Sequence, residues 1–193
     1  VSYWAFEESS GTRYDSVLTS AKDLSEIGAV TGSAAGMNGD AANFVAGSGS
    51  YFQNLTSIVD WYDAWSLAGW AKRSATSSTR ILIAWPNTLY QLYHRSTGPG
   101  VRSTFAGTTL TKNLDVTSWH HIILTWDGVD TVSLYVNADA GTSGTASPAD
   151  LIDGIYVADG DNDGLMDEWG VWSRVLTSQE RADLYNGGAG VFY

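Results

Sequence analysis

Apolar and polar residues alternate in short runs along most of this chain, and the runs are broken every few residues by Gly, Ser, Asn and Asp. A period of two marks half-buried strands, and helical periodicity is nearly absent. The pattern predicts strands at Ser2–Phe6, Ala41–Val45, Tyr51–Gln53, Ala64–Lys72, Arg80–Trp85, Leu89–His94, Val101–Phe105, His120–Trp126, Thr131–Val136, Gly154–Val157 and Leu165–Trp172. Such a set of short strands with turn signals between them predicts an all-β, two-sheet antiparallel sandwich or jelly roll. Trp126-Asp127-Gly128 before Thr131–Val136 predicts a hairpin, because Asp-Gly tolerates the turn that joins twisted strands. One helix is predicted, Ser178 to Asn186. Thr177-Ser-Gln-Glu180 has capping-box spacing, and Gly187-Gly188 supplies the stop. Gly141–Pro148 reads as a polar loop, and nothing suggests a linker, so residues 1–193 form a single domain.

Composition adds three constraints. Nine tryptophans and ten tyrosines suit sheet packing and, where exposed, flat faces for stacking on a ligand. The net charge of −11, with no Lys/Arg cluster, excludes nucleic acid as a partner and favours divalent cations. The absence of cysteine excludes disulfides and thiolate metal sites. No apolar run approaches the ~18 residues of a membrane span, so membrane insertion is not expected. A start at Val1 rather than methionine suggests a mature or excised piece of a larger chain.

Several ordered motifs carry a family resemblance. They begin with Tyr3-Trp-Ala-Phe-Glu-Glu-Ser-Ser-Gly11 with Asp15-Ser16, Gly39-Asp-Ala-Ala-Asn-Phe44 and Ala64-Trp-Ser-Leu-Ala-Gly-Trp-Ala-Lys72. Ser118-Trp-His-His-Ile-Ile-Leu-Thr-Trp-Asp-Gly128 and Val132-Ser-Leu-Tyr-Val-Asn137 follow. Asp163-Gly-Leu-Met-Asp-Glu168, Val171-Trp-Ser-Arg-Val-Leu176 and Glu180…Leu184-Tyr185-Asn186 close the series. In this order the chain resembles laminin G-like domains of the concanavalin A-like lectin/glucanase superfamily. The resemblance implies a curved two-sheet jelly roll in which Trp65, Trp70, Trp119 and Trp126 belong to the scaffold. Two places depart from it: Ala138 stands where a glycine is usual, and Ala149–Gly154 lacks the usual glycine-rich lead.

The superfamily includes glycosidases, but the sequence does not support catalysis here. Retaining hydrolysis needs two carboxyls about 5–5.5 Å apart, and no Glu-x-Asp-x-Glu string is present. Glu7 and Glu8 are adjacent and face opposite ways on a strand, as do Asp167 and Glu168; Glu26 is alone and Glu180 serves the capping box. The chain is therefore expected not to be an enzyme.

The acids point instead to a cation. Asp159, Asp161 and Asp163 alternate before Gly164, the first half of an EF-hand-type calcium loop, and Asp167 extends the string to D-x-D-x-D-G-x-x-D. Gly170 stands where that loop needs its bidentate Glu. A competing placement is implied by the resemblance: a structural calcium tying the N-terminal segment to the last strand through Glu7 or Glu8, Asp15 and the Asp167/Glu168 pair. For ligand binding, Trp85, Asn87, Tyr90, Tyr93, His94, Arg95 and Arg102 could offer ring stacking with hydrogen-bond donors, as sugars require. The expected function is a carbohydrate-binding, lectin-like module with a structural calcium, in an extracellular, cell-surface or virion-surface protein. The alternative is a protein-interaction, adhesion or tail-fibre domain whose partner is a cell-surface protein.

Overall fold

Strands β1 (Ser2–Trp4), β2 (Ser25–Ile27), β3 (Thr31–Ala35), β4 (Asp40–Phe44) and β5 (Tyr51–Asn54) open the chain. β6 (Trp65–Arg73), β7 (Arg80–Ala84), β8 (Tyr90–His94), β9 (Val101–Phe105) and β10 (Thr108–Lys112) follow. β11 (His120–Trp126), β12 (Thr131–Val136), β13 (Thr142–Thr145), β14 (Ile155–Val157) and β15 (Gly164–Trp172) precede the helix α1 (Ser178–Tyr185). The structure is a computed structural model that describes residues 1–17, 22–56, 58–74, 79–86, 90–96, 98–148, 153–158, 160 and 162–191.

The strands form two antiparallel sheets. One runs β13-β12-β11-β6-β15-β4-β3, with β1 paired to β15; the other runs β10-β9-β8-β7-β14-β5-β2. The jelly-roll sandwich read from the sequence is the fold found. All eleven predicted strands are present, and four more join them: β2, β3, β10 and β13. Those four are the terminal strands of the two sheet paths. They are short and largely polar, as edges that must not template aggregation tend to be, so hydrophobic alternation does not reveal them. Strand β13 lies within the segment read as a loop, Gly141–Pro148, where Thr131 to Leu134 pair with Thr145 to Thr142.

Inward side chains of both sheets fill one core, including Trp4, Phe44, Phe52, Leu67, Leu82, Leu92, Ile122, Leu124, Met166 and Trp169. Trp169 lies flat over β6, where a Cβ on Gly69 would sit 2.2 Å from its indole ring. Its Nε1 donates to the Trp70 carbonyl at 2.9 Å. Gly69→Ala should therefore force the ring off the strand, costing about 3 kcal/mol and lowering Tm by roughly 10 °C in a thermal melt.

Helix α1 opens as the sequence predicts, with Thr177 accepting from the Glu180 amide and Glu180 accepting from the Thr177 amide. It ends one residue earlier than expected, with Asn186 rather than Gly187 in the left-handed cap. Its Leu184 packs with Ala68, Ile123, Trp172 and Leu176 on the outer face of the larger sheet. At the β12–β13 turn Ala138 adopts φ 55°, a left-handed conformation that the more usual glycine would hold without strain.

Candidate functional site

The most perturbed acids lie where β15 breaks its regular pairing. Register against β6 shifts between Asp167 and Gly170, and Glu168 takes φ 54°. This bulge inserts one residue, so alternation no longer places Asp167 and Glu168 on opposite faces. The expectation of opposed carboxylates is corrected: both reach the β3–β4 turn. Asp167 Oδ2 accepts from the Met37 and Asn38 amides at 2.7 and 3.3 Å, and Glu168 Oε1 accepts from Asn38 Nδ2 at 3.1 Å. The Tyr3 hydroxyl donates to Glu168, joining β1 to the same group. Glu7 comes to the turn from the other side, accepting from the Asp40 amide at 2.9 Å.

Burial pushes the Asp167 carboxyl up to about 8, with the neighbouring Glu168 and Glu7 charges adding to the rise. Burial raises Glu168 as well, against the hydrogen bonds from Tyr3 and Asn38. Asp167 Oδ1 is buried without a hydrogen-bond partner among the described residues. The turn is cut to fit these oxygens. The position a Cβ on Gly36 would occupy lies 2.5 Å from Asp167 Oδ2, 2.7 Å from the Asp40 carbonyl and 2.9 Å from the Asn38 carbonyl. Among the described residues no three His, Asp or Glu side chains converge on one point. An ion here would draw on backbone carbonyls beside the carboxylates, a donor set of hard oxygens that suits calcium.

The two expected acid placements fare differently. Asp159 and Asp161 lie outside the described residues. Asp163 faces Arg73, whose charge it supports, and it precedes Asp167 by four residues of extended strand, about 13 Å. Asp163 and Asp167 therefore cannot share an ion, and the single acidic string is corrected. Of the competing set, Asp167 and Glu168 meet at the β3–β4 turn and Glu7 reaches the same turn at the Asp40 amide, without the three converging on one point. Glu8 instead accepts from the Tyr14 amide and lies 3.9 Å from Arg13. Asp15 accepts from the Tyr3 and Val17 amides, at the backbone end of the tyrosine whose hydroxyl meets Glu168.

The expected ligand-binding aromatics are corrected more sharply. Trp85, Tyr90 and His94 are only 2, 1 and 1% exposed. Trp85 and Tyr90 belong to an inter-sheet ring cluster with Trp61, Trp65, Phe105 and Trp126. The reason is parity: β8 alternates buried and half-buried, and its even positions face the core. Tyr93, Arg95 and Arg102 stay at the surface. The Arg102 guanidinium lies over the Tyr93 ring at 6.0 Å, and Arg95 donates to Asn113 at 2.7 Å. Asn87 lies outside the described residues.

Register instead brings together a row that sequence reading missed. Across the outer face of the smaller sheet, Thr109 faces Thr104, Thr104 faces Gln91, and Gln91 faces Ala84. Ala84 faces Tyr156, Tyr156 faces Gln53, and Gln53 faces Ser25. Tyr156 is braced edge-on by Tyr51 at 5.7 Å. Only the outward parity of Tyr156 and Gln53 could have flagged the row, and their separation in sequence hid it.

No paired acids face a cleft among the described residues. Glu7 and Glu8 serve backbone amides. Glu26 accepts from the Gly11 and Val30 amides and lies 3.6 Å from Arg13. Glu180 is held by Arg174 and Thr177, which bring its carboxyl down to about 2. His94 and His120 meet Nε2 to Nε2 at 2.9 Å, and His121 packs on Trp70; all three are buried.

The two antiparallel sheets make a jelly-roll sandwich of the lectin and glucanase type. The family model described as the concanavalin A-like lectin/glucanases superfamily, in its laminin G-like branch, matches residues 46–180, and the chain belongs to that family. No curated protein matches the chain. Among solved structures, domain 4 of AbnA, a GH43 extracellular arabinanase from Geobacillus stearothermophilus in complex with arabinotriose, is similar at 18% identity and TM-score 0.71. The match covers 94% of this chain and 96% of that one. Trypanosoma rangeli sialidase is similar at 16% identity and TM-score 0.69 over 98% of this chain, which spans 33% of the sialidase. The botulinum neurotoxin type G receptor binding domain is similar at 11% identity and TM-score 0.70, covering 96% of this chain and 50% of that one. At these identities the likeness establishes the fold. Among the described residues no helix is long and apolar enough to cross a membrane.

Proposed function

We propose that this domain is a non-catalytic carbohydrate-binding module of a larger extracellular or surface protein. It presents the outer face of its smaller sheet to the glycan and uses a structural calcium ion to hold the N-terminal strand. The observation that carries the reading is the row from Thr109 to Ser25, in which hydroxyls and carboxamides flank a braced tyrosine. Flat rings with hydrogen-bonding groups beside them suit the apolar faces and hydroxyl rims of sugars. A domain bound to arabinotriose among the similar folds supports the same class of ligand. The non-catalytic part rests on the commitment of every glutamate to an amide or an arginine. The calcium is assigned to Asp167 and Glu168 with the Asn38 and Asp40 carbonyls, and Glu7 adds charge nearby. Its chemistry is neutralisation of buried negative charge.

A glycan array probed with the labelled domain in calcium buffer should light a restricted set of oligosaccharides. Tyr156→Ala should dim that set about tenfold, and no reducing ends should be released. A silent array sinks the reading. One observation favours the second reading, a protein-interaction domain: an apolar hollow of about 230 Å³ between Val1, Tyr3, Val17 and Trp172 on the opposite sheet. Oligomerisation or capture of a surface protein alongside a silent array would favour it.

A further inference from the structure

A larger hollow, of about 450 Å³, opens at the edge of the smaller sheet, where β2 and β5 meet the N-terminal segment. Its walls are Thr12, Asp23, Ser25 and Gln53, and Leu55 forms part of the rim. The geometry points to this hollow as the seat of the terminal residue of an uncharged oligosaccharide, whose remaining residues run over Tyr156 toward Gln91. This rests on the carbohydrate-binding reading above and gives it a location and a ligand class.

The base of the hollow is rigid. Asn54 donates to the Asp23 carbonyl at 2.9 Å and accepts from the Thr56 amide and hydroxyl at 2.8 and 2.6 Å. Asp23 Oδ1 accepts from the Asp15 amide at 2.8 Å, which aims its second oxygen elsewhere. The hydroxyls of Thr12 and Ser25 and the carboxamide of Gln53 make no hydrogen bond among the described residues. Donors and acceptors are therefore both on offer in a preformed cup, and a ligand that pairs with them loses little by ordering the site. Sugar hydroxyls, each a donor and an acceptor, match this set. Leu55, 56% exposed, supplies the apolar patch that a ring face needs.

The charge decides the class of sugar. Among the described residues no Lys or Arg lines the hollow, and its acidic wall residue is Asp23. The cations of the neighbouring segment are engaged elsewhere: Lys22 Nζ donates to the Ile58 carbonyl, and the Arg13 guanidinium lies 4.5 Å over the buried Phe52 ring. In a chain of net charge −11, a sialic or uronic acid carboxylate would enter against repulsion with no partner. Register extends the cup into the sheet face, since Gln53 sits between Ser25 on β2 and Tyr156 on β14.

The test is calorimetric titration of the calcium-loaded domain. The ligands are neutral arabinose-, xylose-, glucose- and galactose-terminated trisaccharides, with 3′-sialyllactose and digalacturonate as charged probes. The expected result is binding by at least one neutral trisaccharide and none by the charged pair. Gln53→Ala should weaken it about tenfold, and Ser25→Phe, at an exposed position that fills the cup, should abolish it. Both variants should melt within a few degrees of the parent. Neutral binding untouched by Ser25→Phe, or preference for the charged probes, overturns the assignment of the hollow while leaving the carbohydrate reading standing. No binding by any sugar here or on the array removes both.

Discussion

In chelator, the domain should lose stability as the pH rises from about 6.5 to about 8, above the range in which the buried histidines act, and calcium should restore it. The folded Asp167 carboxyl titrates at about 8, against 3.8 when unfolded. Between those values the folded state holds a proton that the unfolded state has released. The stability of this group is complete below pH 3.8 and drains away until about pH 8. At 1.36 kcal/mol per pH unit, about 2 kcal/mol of this loss falls between pH 6.5 and 8, so the chelated Tm should be lower by about 5 °C at pH 8 than at pH 6.5. Glu168 shifts in the same direction and adds to it. In the proposed site a calcium ion would replace the proton as the neutralising charge, so the calcium-loaded domain should melt well above the chelated one at pH 8. Asp167→Asn keeps the acceptor for the Met37 and Asn38 amides and removes the charge. It should raise the chelated melt at pH 8 and abolish the calcium response. Equal midpoints in calcium and chelator at pH 8 would remove the metal from the account.

Acid works through a different set of groups. Burial lowers His120 to about 4 and His121 to about 3, and holds His94 well below its ordinary value, with His120 and Arg73 adding repulsion. These folded values lie beneath the unfolded 6.5. Stability from the neutral rings is complete above pH 6.5 and falls as the unfolded chain takes protons that the folded one refuses. His120 and His121 each cost about 3 kcal/mol between pH 6.5 and 4, His94 adds to the loss in the same direction, and without calcium the Asp167 proton offsets about one ring's share. The remainder is comparable with the whole stability of a domain, so acid unfolding should be complete near pH 4. Tryptophan fluorescence against pH reads it directly. His121→Phe, which preserves a ring against Trp70, should move the acid midpoint to lower pH. An unmoved midpoint would mean that His121 is not buried neutral.

The sheets were legible because their central strands are buried on alternate or all positions, and such runs as His120–Trp126 carry their own signal. The four edge strands were not, since a segment such as Thr142–Thr145 has no apolar residue to mark its phase. The start of helix α1 is readable from its capping box, while its end falls one residue before the glycines because Asn186 itself takes the left-handed cap. The acidic site was half legible. Glu7, Asp167 and Glu168 were singled out, yet strict alternation separated the last two, and only the bulge brings them together. The ligand face failed for a related reason. Parity divided β8 correctly into two faces, but nothing in Trp85 or Tyr90 says which face meets the other sheet. Tyr156, Gln53 and Gln91 are far apart in the chain and become neighbours only through pairing.

The bulge at Glu168 also separates the acidic turn cluster from the packing that holds the domain together. Met166 and Trp169 point into the core on either side of it, and the extra residue between them contributes nothing to that packing. Deleting one residue would restore plain alternation, leave the sandwich intact and erase the acidic turn site. A lineage built on this scaffold can thus gain or discard the acidic turn cluster by a single insertion or deletion, with its core sequence unchanged.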